Sequence, residues 1–404
     1  MGMRSETERQ IRRWQDQRWV LDNIIRLYGP DWDQTRSARW NTYCGPRSTP
    51  DILLLRSRIK RLNDIPREFA RIGKRREQIA RQAEEKSHLV TARESYFMAA
   101  LAYGTAQWGL FEPDNPDREM YEEHLVACYD KYIRFASHRI ERVEIPFEDG
   151  KTLPALLHYP RIGKPPYPCI VYYPGMDAIK EDAAMYADPF RERGFAVLSV
   201  DGPGQGASRA RGILLTADNS ARVGPGAVEA LKKKPEIDSS RLVMSGISMG
   251  TYWGFRAATA TDAFKACALM LPCWEPGMHT IFDMASPSFK INYMHMMGIY
   301  DEEEFNRAMK DFTLEGLEEK MRCPFMLIMG EDDDLSPMDR TMAIFDRIPK
   351  PKQLVVYEGQ KHSVELPSFP EIAADFLLDC LAGKEIPSIK IYIEIMGGQV
   401  VTPL

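Results

Sequence analysis

Through the first third of the chain apolar residues recur at helical spacing between long charged stretches, and no strand pattern appears before about residue 139. In 90–108, Val90, Ala92, Tyr96, Ala99, Ala100, Tyr103 and Trp108 fall near three- and four-residue intervals, which predicts a helix with one continuous apolar stripe. A second helix is expected after Pro116, from about Asp117 to Ser137. The stretch 57–86 is rich in Arg and Lys but carries interspersed Asp and Glu, so it reads as a solvated helical face rather than a nucleic-acid surface.

Beyond residue 140 the pattern changes to short apolar runs bounded by Gly and Pro and separated by helical segments, the signature of an α/β sheet. Eight strands are predicted: Arg142–Phe147, Leu153–Tyr159, Cys169–Tyr173, Ala196–Asp201, Leu242–Gly246, Ala266–Leu271, Phe325–Met329 and Gln353–Tyr357. The first two are joined only by Glu148-Asp149-Gly150, too short for a parallel crossover, and should form an antiparallel hairpin. The others alternate with helices near 180–193, 219–233, 250–260, 337–347 and 369–382, and should be mostly parallel. The resulting division is a helical domain over 1–139 and an α/β domain over 140–404. A Met- and aromatic-rich insertion, 274–322, interrupts the second and is expected to contribute to a pocket wall.

Composition narrows the function. The 404 residues are 44% hydrophobic and 27% charged, with 53 Lys plus Arg against 58 Asp plus Glu and a net charge of −5. That near balance argues against nucleic acid or an anionic membrane as the main partner. The N-terminal segment lacks an apolar signal core, no apolar run is long enough to span a membrane, and Gly2 stands outside a myristoylation pattern. A cytoplasmic location is expected. The seven cysteines are scattered without a C-x-x-C, which fits reduced thiols better than a disulfide framework or a zinc site.

The chemistry concentrates at strand ends. The run Arg241–Ser245 is an apolar strand that enters Gly246-Ile247-Ser248-Met249-Gly250 and then a helical segment. A serine at such a strand-to-helix turn presents its hydroxyl, and the flanking glycines avoid collision with neighbouring backbone. The helix N-terminus behind it offers the Met249 N–H to a developing oxyanion. Ser248 is therefore the expected nucleophile, and a base and an orienting acid should follow it in the chain. The turn Gly330-Glu331-Asp332-Asp333-Asp334-Leu335-Ser336-Pro337 follows a predicted strand, where open α/β sheets build their sites. Asp333 is the first choice, with Asp332 and Asp334 as alternatives, one of which could cap the next helix. His362, just beyond the last predicted strand, is the expected base.

A second oxyanion donor is expected from Tyr173-Pro174-Gly175-Met176, where Gly175 permits close approach and the Met176 N–H donates. The run Asp201-Gly-Pro-Gly-Gln-Gly206 lacks the Lys-Ser/Thr pair of a phosphate loop and reads as a structural turn. Tyr172, Tyr173, Trp253, Trp274, His279, Tyr293 and His295, with Met294, Met296 and Met297, are candidates for an apolar pocket wall. A Met-aromatic cluster is also what core packing produces. No metal ligand set is spaced along the chain.

With these residues in place, the chain resembles the α/β-hydrolase superfamily, and within it the branch of 2,6-dihydroxypseudooxynicotine hydrolase and the fungal polyketide-shortening hydrolases. The resemblance rests on Pro174-Gly-Met-Asp-Ala-Ile-Lys-Glu-Asp182, Asp201-Gly-Pro-Gly-Gln-Gly206, Gly246-Ile-Ser-Met-Gly250 and Ala92-Arg-Glu-Ser-Tyr-Phe-Met-Ala-Ala-Leu-Ala-Tyr103, and spans most of 90–383. It implies an α/β-hydrolase fold with an N-terminal helical cap over the active site and a cofactor-free Ser-His-Asp mechanism. It also implies cleavage at an ester or at a C–C bond beside a ketone, and the aromatic residues proposed for the pocket wall suggest a small-molecule substrate, aromatic or polyketide-like. The rival readings are a carboxylesterase or thioesterase proper, an acyltransferase built on the same acyl-enzyme, and a non-catalytic partner-binding protein. Apolar stripes on the N-terminal helices allow a homodimer and equally allow docking onto the second domain.

Overall fold

The computed structural model describes residues 19–31, 37, 40–41, 44–112, 115–274, 277, 282, 287–362 and 368–404. The described residues fall into two compact units, one of the chain up to Ser137 together with Ser286–Asn306, the other of His138–Ala285 and Arg307–Leu404. The middle of the 274–322 insertion belongs to the helical unit.

In the helical unit the Asp64–Glu85 helix buries Ile65, Phe69, Ile72, Ala80 and Ala83 together with Asp64 and Glu68, whose carboxylates are met by the exposed Arg67 at 2.7 Å and Arg71 at 2.8 Å. The Leu89–Ala106 helix departs from the expected single stripe. Val90 is 60% exposed, whereas every residue from Ser95 to Tyr103 is buried. Alanines at 99, 100 and 102 let neighbours approach on all sides, so this is the central helix of the unit. Gly73 lies under the Tyr103 ring, where a Cβ would stand 3.0 Å away, and the Tyr103 hydroxyl donates to Glu77 at 2.9 Å. Asn115 caps the Pro116–Phe135 helix by accepting from the Asp117 N–H at 3.0 Å. The insertion supplies the helix Pro287–Met297, whose His295 Nδ1 stands 3.2 Å from the Phe111 carbonyl.

The second unit is built on a sheet. Among the described residues ten strands form it, in the order β1-β2-β4-β3-β5-β6-β7-β8-β9-β10. The eight expected strands are β1 (Ile140–Pro146), β2 (Thr152–His158), β3 (Tyr167–Tyr173), β4 (Ala196–Val200), β5 (Ile237–Ile247), β6 (Phe264–Met270), β7 (Phe325–Gly330) and β8 (Lys352–Tyr357). Two more, β9 (Ile389–Ile393) and β10 (Gln399–Pro403), correct the expected number. β1 and β2 form the predicted antiparallel hairpin, and β2 also pairs antiparallel with β4. From β4 through β3 to β9 the pairing is parallel, and β10 closes the edge antiparallel to β9. The strand order reverses around β3, which places the switch point of the sheet at the carboxyl ends of β3 and β5. One core cluster joins the sheet residues Ile170, Tyr172, Val243, Ala268, Met326 and Val355 to Phe190, Phe369 and Phe376 from the helical layer.

One buried base gives the fold a pH dependence. His158 on β2 is fully buried, with Nδ1 3.2 Å from His138 Nε2, and burial, reinforced by the Arg191 charge, lowers its pKa from 6.5 to about 3. The native state refuses a proton that the unfolded chain accepts, so stability is lost as pH falls from 6.5 towards 3. The expected loss is about 2 kcal/mol between pH 7.5 and 5. Urea titrations at the two pH values check it: the His158→Gln variant should lose less over that interval than the parent, and an equal loss would refute the assignment.

Candidate active site

β5 ends at Ile247 and the next helix begins at Met249, leaving Ser248 alone in the turn with φ 55° and ψ −130°. A β-substituted residue rarely adopts that conformation, and the surroundings hold it there. The Ser248 N–H donates to the Met270 carbonyl at 3.0 Å, and its own carbonyl accepts from the Thr251 N–H at 2.8 Å. A Cβ on Gly246 would lie 2.4 Å from the Gly250 carbonyl oxygen, and one on Gly250 would lie 2.2 Å from that of Tyr173. Both collisions are with backbone, so Gly250→Ala should destabilise the fold by upward of about 2 kcal/mol, read by denaturant unfolding. A neutral substitution would contradict this packing.

The hydroxyl of Ser248 is 2.8 Å from His362 Nε2, and His362 Nδ1 is 2.8 Å from Asp333 Oδ2. Asp333 is buried, and its Oδ1 accepts the Leu335 N–H at 2.9 Å. Asp332 and Asp334 are exposed; Asp334 pairs with Lys361 at 3.2 Å on the surface. The acid turn and the histidine turn are stitched by the Asp332 N–H donating to the Gln360 carbonyl at 2.8 Å. Gly330 permits that approach, because a Cβ there would stand 2.2 Å from the Gln360 oxygen. Three residues remote in sequence thus form one hydrogen-bonded chain at the carboxyl ends of β5, β7 and β8. In that chain a carboxylate orients an imidazole whose other nitrogen can take the serine proton.

Gly175 lies directly against the serine: a Cβ on it would be 3.2 Å from Ser248 Cβ and 3.7 Å from Oγ. The Met176 N–H follows in the next peptide, and the Met249 N–H is the first of a helix, without an intrahelical partner by position. The β3 loop is anchored by an ion cluster buried from water. Lys180 Nζ is 2.8 Å from Asp201 Oδ2 and 2.9 Å from Glu181 Oε1, and the Lys180 N–H donates to Asp201 Oδ1 at 2.7 Å.

The expected pocket wall is placed differently. Tyr172 belongs to the sheet core, Tyr173 and Trp253 pack on each other at 5.4 Å, and Trp274 packs between Phe255 and Phe325 at 5.4 and 5.7 Å. All four are essentially inaccessible, so they serve as core. Tyr293 and His295 lie in the helical unit, where Tyr293 packs on Phe305. His279 falls outside the described residues. No sequence signal marks Cys273, whose Sγ is 3.9 Å from Ser248 Oγ and whose thiol pKa is pushed well up by burial. Its approach depends on the exit of β6 meeting that of β5, a contact without local signal. Among the described residues no three His, Cys, Asp or Glu side chains are grouped to hold a metal ion, and no helix is long and apolar enough to cross a membrane.

A family model described as "Esterase FrsA-like" matches residues 66–345. The chain is 28% identical over 218 residues to the alpha/beta hydrolase xenA of Xenoacremonium sinensis, spanning 50% of this chain and only 50% of that relative. To the alpha/beta hydrolase gkaG of Penicillium citrinum it is 28% identical over 329 residues, 69% of this chain and 76% of the relative. Among solved structures, that of the 2,6-dihydroxy-pseudo-oxynicotine hydrolase superposes with a TM-score of 0.73 at 22% identity, covering 92% of this chain and 97% of that one. At that identity the likeness concerns the α/β-hydrolase fold.

Proposed function

The chain belongs to the FrsA-like esterase family, and on that premise we propose that it is a serine hydrolase acting through Ser248, His362 and Asp333 on a small aromatic or polyketide-like carbonyl compound. The observation that carries the reading is the continuous hydrogen-bonded chain from Ser248 Oγ through His362 to Asp333, with 2.8 Å at each step. His362 Nε2 takes the hydroxyl proton as Oγ bonds to the substrate carbonyl carbon. Asp333 holds the tautomer that leaves Nε2 free and balances the imidazolium that forms. The N–H groups of Met176 and Met249 face the oxyanion. His362 returns its proton to the departing group, and water, activated by the same histidine, releases the acyl group from Ser248.

Both leaving groups expected from the sequence use these residues. An ester expels an alkoxide that His362 protonates. A C–C bond beside a ketone breaks only if the departing carbanion is stabilised by the substrate, as an enolate or an electron-rich ring. The substrate class is supported by the resemblance to polyketide-shortening and dihydroxypseudooxynicotine hydrolases.

The test combines a fluorophosphonate probe with a panel of p-nitrophenyl esters and aryl β-diketones, followed by mass spectrometry. One adduct on Ser248 is expected, with turnover of at least one substrate class abolished by that adduct. Turnover of diketones with slow esters assigns C–C hydrolysis, and the reverse assigns an esterase. Absence of labelling at Ser248 would refute the proposal.

A further inference from the structure

We infer that Gln205 is a positioning residue for the oxyanion site: its side-chain amide holds the Gly175–Met176 peptide in the orientation that turns the Met176 N–H toward the substrate. The inference rests on the serine-hydrolase reading and deepens it. Gln205 is 3% exposed, and its Nε2 donates to the Gly175 carbonyl at 2.9 Å and approaches that of Ala178 at 3.4 Å. The Gly175 carbonyl and the Met176 N–H are the two ends of one planar peptide group and point in opposite directions. The Gly175 carbonyl also accepts the Ala178 N–H at 3.1 Å, and the Gln205 amide is the second donor that, fixed on this carbonyl, fixes the direction of the N–H. Gly175 lies against Ser248, so the direction of this peptide is set within contact distance of the nucleophile. A flipped peptide would present a carbonyl where an anion must form, and glycine, lacking a Cβ, resists such a flip least. Accepting a hydrogen bond at oxygen also polarises an amide and strengthens its N–H as a donor.

The surrounding turn fixes Gln205 itself. Its Oε1 accepts the Gly202 N–H at 3.2 Å, and its backbone N–H donates to the Gly202 carbonyl at 3.0 Å. Gly202 has no room for a side chain, since a Cβ would fall 1.9 Å from the Tyr173 hydroxyl oxygen. Asp201 binds both the Lys180 N–H and the Ala207 N–H, at 2.7 and 3.0 Å, and so ties the β4 turn to the β3 loop on either side of Gln205. The glycine-rich run after β4 is thus a frame that delivers one amide to the back of the oxyanion peptide.

Two variants separate positioning from bulk structure. Gln205→Glu keeps the volume and the acceptor for the Gly202 N–H but removes the donor, and Gln205→Met keeps the volume alone. Each is assayed on a p-nitrophenyl ester and its thionoester, whose developing sulfur anion accepts hydrogen bonds poorly, with the melting temperature read alongside. The expected result is a loss of about 10- to 100-fold in ester kcat with KM little changed. A loss several-fold smaller is expected on the thionoester, so that the ester-to-thionoester ratio shrinks. Affinity for a trifluoromethyl ketone should fall in step with the ester rate. Equal losses on both substrates, unchanged rates, or variants that lose the fold outright would overturn the inference in favour of a structural role. Ser248→Ala is the control: ester turnover that survives it refutes the serine-hydrolase reading, whereas Ser248-dependent turnover with a constant ratio refutes only the role of Gln205.

Discussion

Replacing Ser248 with glycine should abolish turnover and leave the protein more stable than its parent. The rate loss follows from removing the nucleophile of a unit whose members act together, an effect of about 10⁴- to 10⁶-fold in kcat. The gain in stability follows from the backbone. Ser248 is held at φ 55° by Gly246, Gly250 and its hydrogen bond to Met270, a conformation costing a β-substituted residue on the order of 1–3 kcal/mol. Glycine adopts it freely, but gives back roughly 0.5–1 kcal/mol through the greater entropy of its unfolded chain. A net rise of about 1 kcal/mol is expected from denaturant unfolding of Ser248→Gly against the parent. Ser248→Ala should lose the same activity without the gain. A glycine variant that is both inactive and less stable would mean that the elbow is relaxed and that the hydrogen bond to His362 contributes more than the strain.

The second large effect separates three adjacent acids. Asp333→Asn is expected to lower kcat by about 10⁴-fold, because an amide in place of the carboxylate can offer its NH₂ to His362 Nδ1 and favour the tautomer with the proton on Nε2, where it cannot accept from Ser248. Asp332→Asn and Asp334→Asn should stay within about threefold of the parent. Asp332 contributes its backbone N–H to Gln360, which the substitution retains. Asp334 meets Lys361 with both side chains well exposed, and such pairs are worth little. Ester kinetics on the three variants decide the matter, and a steep loss at Asp334 alone would move the acid by one position.

How much of this was legible depended on how local each determinant is. The first eight strands and the elbow are written in contiguous runs, so Arg241–Gly250 announces strand, turn and helix without help from the rest of the chain. Asp333 could be preferred but not separated from Asp332 and Asp334, because the choice is made by the histidine turn arriving from β8. The strand β9 has only a short local signal, Ile389, Ile391 and Ile393 alternating ahead of Gly397-Gly398, and it follows the last helix with no further strand-helix rhythm to support it. The aromatic residues assigned to a pocket wall were indistinguishable in sequence from core, since both uses demand large apolar side chains. The Leu89–Ala106 helix reads as amphipathic along the stripe through Ala92, Tyr96, Ala99, Ala100 and Tyr103, but Phe97, Met98 and Leu101 lie off that stripe and are buried too, and the small alanines are what lets it be enclosed. Gln205 sits in a run that reads as a turn, and its contact with the β3 loop belongs to another crossover of the sheet.

The helical unit is assembled from two separated stretches of chain, and this has a consequence for synthesis. When the ribosome has completed Ser137, the helix Pro287–Met297 that packs His295 against the Phe111 turn does not yet exist. It emerges after the whole of His138–Ala285, at translation rates a delay on the order of ten seconds. The first helices must wait through the making of β1 to β6 with that surface unfilled, and the sheet in turn gains β7 to β10 only afterwards. The helical unit is thus complete at Asn306, while the sheet still lacks β7 to β10, and neither unit can mature before β6 has been made.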